Sequence, residues 1–409
     1  MSSEGGKWPL KPLGGLCRVS SGTTPSRAAG SRYFTHQGIP WVKTLDLNEG
    51  SLHATDESLT EVAVAETGVR VYPAQSVLLA MYGGWEQIGR TAILAVPAAV
   101  NQAISVLEVG PQIEARYLLL ALQHGRPRWS RYAASTRKDP NITKSDVLEF
   151  GVPVPPLPAQ RRIVETIDSI TEMERAIATS IAKLRSVRQG LMASLLSPFA
   201  GVRGAWVVRS LESVAEVSGG LTLGGISATG GSVELPYLRV ANVQDGFIST
   251  AEMKTVRVTP VDAQRFRLRR GDLLVTEGGD FDKVGRGAVW DGRIEPCLHQ
   301  NHVFRVRCRE GVMAPEFLAF YMASQAGRAY FLSVAKQTTN LASISSSQLK
   351  AMPVPCPPLP DQKRVVEVLA VCDKQIGRET NELGKLRKLK QGLMDDLLSG
   401  RVVVSAAAA

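Results

Sequence analysis

The chain has 409 residues, 44% hydrophobic and 21% charged, a balance that excludes a disordered or collagen-like polymer and supports about two to four packed cores. Its 48 Lys and Arg against 38 Asp and Glu leave a net charge of +10, which favours a polyanionic partner. Five cysteines without paired spacing argue against a disulfide framework, and no apolar run nears the roughly 18 residues of a membrane span, so a cytoplasmic location is expected.

Residues 1–155 hold short β-rich runs bounded by Gly, Pro and Asn, with one helical stretch at 111–122, the pattern of a small α+β domain. The stretch Val152-Pro153-Val154-Pro155-Pro156-Leu157-Pro158 is extended by its prolines. A helix is predicted within 156–200. Its apolar positions step alternately by four and three, the spacing of a paired-helix seam: Ile163, Ile167, Ile170, Ile177, Ile181, Leu184, Leu191 and Leu195, with Glu174 and Arg188 as exceptions. Residues 201–355 then repeat the β-rich pattern, with a helical stretch at 315–326. A second proline-rich entry at 352–360 leads into a helix within 356–400, whose seam is Val365, Leu369, Cys372, Ile376, Leu383, Leu386, Leu393 and Leu397, with Glu379 and Lys390 as exceptions. Residues 401–409 form a tail ending in alanines. About 38 residues at a rise of about 1.5 Å make a rod of roughly 55 Å, which cannot bury its stripe alone; each rod is expected to pair with the other.

The two halves are copies. Pro156-Leu157-Pro158-Ala159-Gln160-Arg161-Arg162-Ile163-Val164-Glu165 returns as Pro358-Leu359-Pro360-Asp361-Gln362-Lys363-Arg364-Val365-Val366-Glu367, and Gln189-Gly190-Leu191-Met192 returns as Gln391-Gly392-Leu393-Met394. The intervening regions match more weakly: Gly38-Ile39-Pro40-Trp41-Val42-Lys43 with Glu234-Leu235-Pro236-Tyr237-Leu238-Arg239, Ile88-Gly89-Arg90 with Val284-Gly285-Arg286, and Asn101 with Asn301.

These residues resemble the specificity subunits of type I restriction-modification systems over essentially the whole chain. The likeness rests on the Pro-Leu-Pro-x-Gln helix entries and their Gln-Gly-Leu-Met exits. In the first domain, Ser21-Gly22-Thr23-Thr24-Pro25 and Gly38-Ile39-Pro40-Trp41 resemble the family's opening signatures, whereas Ser218-Gly219-Gly220-Leu221-Thr222 lacks the proline and Tyr237 replaces the tryptophan. The resemblance implies an α+β fold of two similar α/β target-recognition domains separated by two long helices. It also implies a role without catalysis, in which the chain binds double-stranded DNA and docks methyltransferase subunits, expected to be two, with restriction subunits possible. S-adenosylmethionine, ATP and Mg belong on those partners and no cofactor is expected on this chain. If the rods pair as an antiparallel coiled coil, the internal repeat becomes an approximate two-fold and the target becomes two short half-sites about 34 Å apart flanking an unread spacer.

Reading DNA needs Lys and Arg on phosphates and hydrogen-bonding side chains on base edges. The candidates are Lys43, Arg90, Arg126, Arg128, Arg131, Arg137 and Lys138 in the first half and Arg239, Arg265, Lys283, Arg286, Lys336, Gln337 and Asn340 in the second. A solvated loop or a hairpin turn explains the same residues without function. Cys297, His299, His302 and Cys308 have the side chains of a metal site, but aligning Asn301 with Asn101 puts no ligand set in the other half, so no metal is expected. Gly84-x-x-x-x-Gly89-Arg90-Thr91 carries Arg where a phosphate loop requires Lys, and no methyltransferase tetrapeptide is present. The competing reading from a different class is a structural adaptor whose twin globules bind proteins.

Overall fold

Two long helices begin where the proline-rich entries end, Leu157–Leu195 with 39 residues and Leu359–Ser399 with 41, in a computed structural model that describes residues 8–133, 140–196, 206–222, 231–280, 283–337 and 341–402. The prolines of the entries stop at the first turn, where a missing N–H costs nothing. Upstream of each helix the chain forms a short antiparallel pair with the start of its own domain, Leu10–Pro12 with Gly151–Pro153 and Val207–Ser210 with Pro353–Cys356. Each domain therefore returns to its entry point before the rod starts.

The chain divides into residues 1–178 with 381–409, and residues 179–380. Each unit holds one globule together with a part of both long helices, so the linear order of globule and rod is not the order of packing.

In the first unit a five-stranded sheet has the order Cys17–Ser21, Ile104–Val109, Val77–Ala80, Thr91–Leu94, Ser51–Leu52, and a second sheet ends on Ile39–Val42 paired in parallel with Ala99–Val100. Helix Ala115–Gly125 covers the first sheet with Tyr117, Leu118, Leu119 and Leu122, all fully buried. The second unit repeats the order as Ala215–Ser218, Val303–Cys308, Leu273–Thr276, Gly287–Val289, with Val233–Leu238 parallel to Leu298–His299 in its second sheet. The helical stretch expected at 315–326 is two helices, Pro315–Ala323 and Gln325–Val334. The Ser324 hydroxyl accepts from Gly327 N and starts the second helix, and a Cβ on Gly327 would lie 2.4 Å from the Tyr321 carbonyl oxygen. That close approach makes the bend and requires glycine there.

The seam is real in both units. In the first, Ile163 and Ile167 share a core with Met394, Leu397 and Leu398, and the polar exceptions Glu174 and Lys390 pair with each other at 3.1 Å. In the second, Met192 and Leu196 meet Val365 and Leu369, and Arg188 donates to Asp373 at 3.1 Å. Within each unit the pairing is antiparallel, because positions late in one helix meet positions early in the other. Every predicted seam residue is buried or half-buried. Among the described residues no helix is long and apolar enough to cross a membrane.

Candidate nucleic-acid interface

At one edge of each domain four loop segments converge on the same backbone scaffold. In the first domain Gly22 passes so close to the connection between the two sheets that a Cβ would lie 2.2 Å from the Val100 oxygen; in the second Gly220 makes the same approach, 2.2 Å from the His299 oxygen. This is the physical reason for glycine in the first-domain signature, and the second domain keeps that glycine although it lacks the proline. Next to it, Met81 N donates to Ala103 O at 2.8 Å while Met81 O accepts from Ile142 N at 3.0 Å. Glu277 repeats both bonds, to His302 O at 3.0 Å and from Ile344 N at 2.8 Å.

The strand register corrects one alignment made from sequence. Ile104 pairs with Ala80 and Val303 with Thr276, and Asn101 N and Gln300 N donate to Val42 O and Leu238 O, each at 2.9 Å. Asn101 therefore corresponds to Gln300, and Asn301 to Gln102, one residue away from the Asn-to-Asn match. The side chains that resembled metal ligands have separate partners: buried Cys297 lies 3.6 Å from Leu298 O, His299 Nδ1 lies 2.8 Å from Val303 O, and His302 Nδ1 lies 2.7 Å from Glu277 Oε2. Burial pushes the Cys297 thiol up to about 12 and the His299 imidazole down to about 4.

Several candidate cations are held by the protein itself. Arg126 donates to Ile88 O at 3.2 Å, Glu86 O at 2.6 Å and Glu49 at 3.3 Å, while Arg90 donates to Gln87 at 3.0 Å and to Leu47 O. Arg286 donates to Gln244 at 3.1 Å. Arg328, not among the sequence candidates, matches Arg126: it donates to Val284 O at 3.2 Å and pairs with Asp245. Between these arginines the turn glycines Gly89 and Gly285 have φ near +74 and +70, with an aromatic ring lying where a Cβ would go, Trp129 and Phe331 respectively. The basic turn is thus clamped from inside in both domains, and its arginines set the loop's shape.

The other candidates have varied environments. Arg128 lies 4.5 Å over the Phe150 ring, itself stacked on Trp129 at 3.9 Å, and burial lowers the Arg128 pKa. Lys43 pairs with Glu57 at 3.4 Å, Arg239 donates to Glu252 O at 3.1 Å and Lys283 pairs with Asp280. Arg131 and Arg265 are exposed, the latter 5.1 Å over Phe266, and exposed Lys336 and Gln337 form a strand against Ala342–Ser343. Arg137, Lys138 and Asn340 lie outside the described residues. Arg131, Arg265 and Lys336 are the candidate cations that the described residues leave exposed to solvent.

The sequence marks Gln160 and Gln362 as members of the repeated helix entries but gives neither a role; both are buried. Gln160 accepts from Glu114 N at 2.9 Å and donates to Gln112 O at 2.9 Å and Pro155 O at 2.8 Å. Gln362 repeats all three bonds, with Ala314 N at 2.8 Å, Val312 O at 2.9 Å and Pro357 O at 2.8 Å. The glutamine is the tie that fixes each domain to the start of its rod.

The family described as the type I restriction modification DNA specificity domain matches residues 6–184 and 204–388. The EcoKI type I restriction enzyme specificity subunit of Escherichia coli strain K12 is 20% identical, the match covering 97% of this chain and 89% of that protein. A Methanocaldococcus jannaschii protein provisionally named the MjaX specificity subunit is 28% identical over 47% of this chain and 45% of its own length, so this match spans about half of each. Among solved structures, the S subunit of a type I system from M. genitalium covers 97% of this chain and 98% of its own, with a TM-score of 0.58 at 14% identity. A chain from a structure addressing complex assembly and conformational transition of the type I R-M system reaches a TM-score of 0.62 at 18% identity, covering 98% of this chain and 100% of that one; at such identities the likeness is one of fold. Two copies of the family's domain span most of the sequence, and the chain belongs to the type I restriction-modification DNA specificity family.

Proposed function

We propose that this chain reads a bipartite DNA target, one half-site for each domain with an unread spacer between, and that it does so without chemistry of its own. The observation that carries this reading is the duplicated loop edge: one backbone scaffold, built twice from matching glycines and clamping arginines, presents different exposed side chains in the two copies. A duplicated frame with divergent tips is what two different half-sites require. The long helices supply the docking surfaces for methyltransferase subunits, two in number, and each unit offers one exposed apolar residue at the matching position of the repeat, Val187 in one and Leu389 in the other, at 48% and 55% exposure. S-adenosylmethionine, ATP and Mg are assigned to the partners, including a restriction subunit where one is present.

A salt titration on duplex DNA tests the reading. Phosphate contacts release counterions, so affinity should fall steeply and linearly in log salt while preference for one bipartite sequence persists. A flat response without sequence preference would support a protein-binding adaptor instead.

A further inference from the structure

We infer that the two-residue turn joining the sheets of each domain, residues 102–103 and 301–302, reads bases, with Gln102 and His302 as the discriminating side chains; this rests on the DNA-reading function proposed above. The turn is pinned on both sides. Asn101 Oδ1 accepts from Ala103 N at 3.1 Å in the first domain, and Val303 N donates to Gln300 O at 2.9 Å in the second. Each turn exposes one large polar side chain, on its first residue in one domain and on its second in the other. The frame is shared, and both the identity and the register of the exposed group differ.

Each of these side chains is oriented by a neighbouring loop. The Thr24 hydroxyl, from the Gly-Thr-Thr-Pro segment, donates to the Gln102 carbonyl oxygen. Glu277 accepts from His302 Nδ1 at 2.7 Å, although the His302 side chain is 57% exposed. An ionised carboxylate only accepts, so Nδ1 carries the proton and Nε2 is the ring nitrogen left for a ligand. An exposed side chain held in one rotamer by a second residue has already lost the freedom that binding would otherwise remove. Neither group is a strong phosphate ligand: Gln102 brings no charge to add to a hydrogen bond, and the Glu277 carboxylate beside His302 repels an anion. Base edges fit both, since an amide places a donor beside an acceptor, the pattern that matches adenine in the major groove, and an imidazole nitrogen offers a single directed contact.

Selection of the full-length chain on a random duplex pool, followed by sequencing, tests this. Gln102→Ala should flatten the preference at one position of one half-site by about ten- to hundredfold, leaving the other half-site and the salt slope unchanged. His302→Ala should do the same in the other half-site, and Gln102→Glu, which keeps the shape but removes the donor, should change which base is preferred. Thermal melting of each variant near the wild-type temperature shows that the domains are intact. If wild type selects a bipartite motif and the variants select it equally well, or weaken all sequences uniformly, the assignment of these two side chains fails while the DNA-reading function stands. If wild type selects no motif, the function itself fails and this assignment with it.

Discussion

His299 is fully buried, with Nδ1 donating to Val303 O at 2.8 Å and Nε2 without a partner. Burial holds its pKa near 4 against an ordinary 6.5, so the folded state prefers the neutral ring. A depressed folded pKa means the contribution is whole above the unfolded value and drains as pH falls from about 6.5 towards 4, by about 3 kcal/mol in all. The first domain has Val100 at this place, so the second unit alone carries this dependence. Denaturant unfolding at pH 7 and pH 4.5 should show a drop in wild type that His299→Val largely removes; equal drops in both proteins would refute it. The helix-entry glutamines make a second residue-scale case. Gln160→Leu leaves the Glu114 amide and the part-buried Gln112 and buried Pro155 carbonyls without this partner, a loss in the denaturant midpoint equivalent to about 1 to 3 kcal/mol for each group that finds no water, and Gln362→Leu should match it in the other unit. The Pro-Leu-Pro-x-Gln motif was legible as a repeat, but not the job of its glutamine, because the partners at Gln112 and Val312 are 48 and 50 residues away and nothing in the local pattern marks them.

The rods were the most legible elements, since a stripe stepping by four and three over so many residues has no other stable use. What the stripe does not state is depth. Ile167 and Leu369 are at most 1% exposed because a globule covers them as well as the facing helix, whereas Leu184 and Leu386 are only half-buried. A two-helix pair leaves its flanks to water. Leu369→Asp should therefore cost several kcal/mol, the penalty for an unpaired charge in a dry site, while Leu184→Asp, where water reaches the carboxylate, should cost visibly less. Denaturant midpoints of the two variants check the order, and a reversal would mean that the seam is not what holds the helices. The polar breaks in the stripe pair across it: Lys390→Glu sets two carboxylates together, and adding Glu174→Lys should restore most of the lost stability if their 3.1 Å contact is direct.

For the whole molecule the consequence is that the first domain and the end of the second rod share a core. The sequence bounds the first target-recognition domain at residues 1–155, which on its own would make that stretch an exchangeable reader. The fold makes it less separable: the core of that domain includes Met394, Leu397 and Leu398 from the far end of the chain, Trp8 donates to Leu397 O at 2.8 Å, and His124 lies 2.9 Å from Asp395. Hydrophobic periodicity could not reveal this, because those residues carry the same apolar pattern whether they face a partner helix or a globule. Replacing residues 1–155 with a reader whose surface does not fit Met394, Leu397 and Leu398 should leave a cavity or a clash and cost stability on the scale of a repacked core, about 2 to 5 kcal/mol. A donor that keeps Trp8 and His124 and the apolar contacts beside them should fold and alter one half-site only. Sequencing the motifs selected by both chimaeras, alongside their melting temperatures, separates the two effects. If the well-fitted chimaera changed both half-sites, reading would not be confined to one domain, and the shared scaffold would have to be carrying sequence information itself.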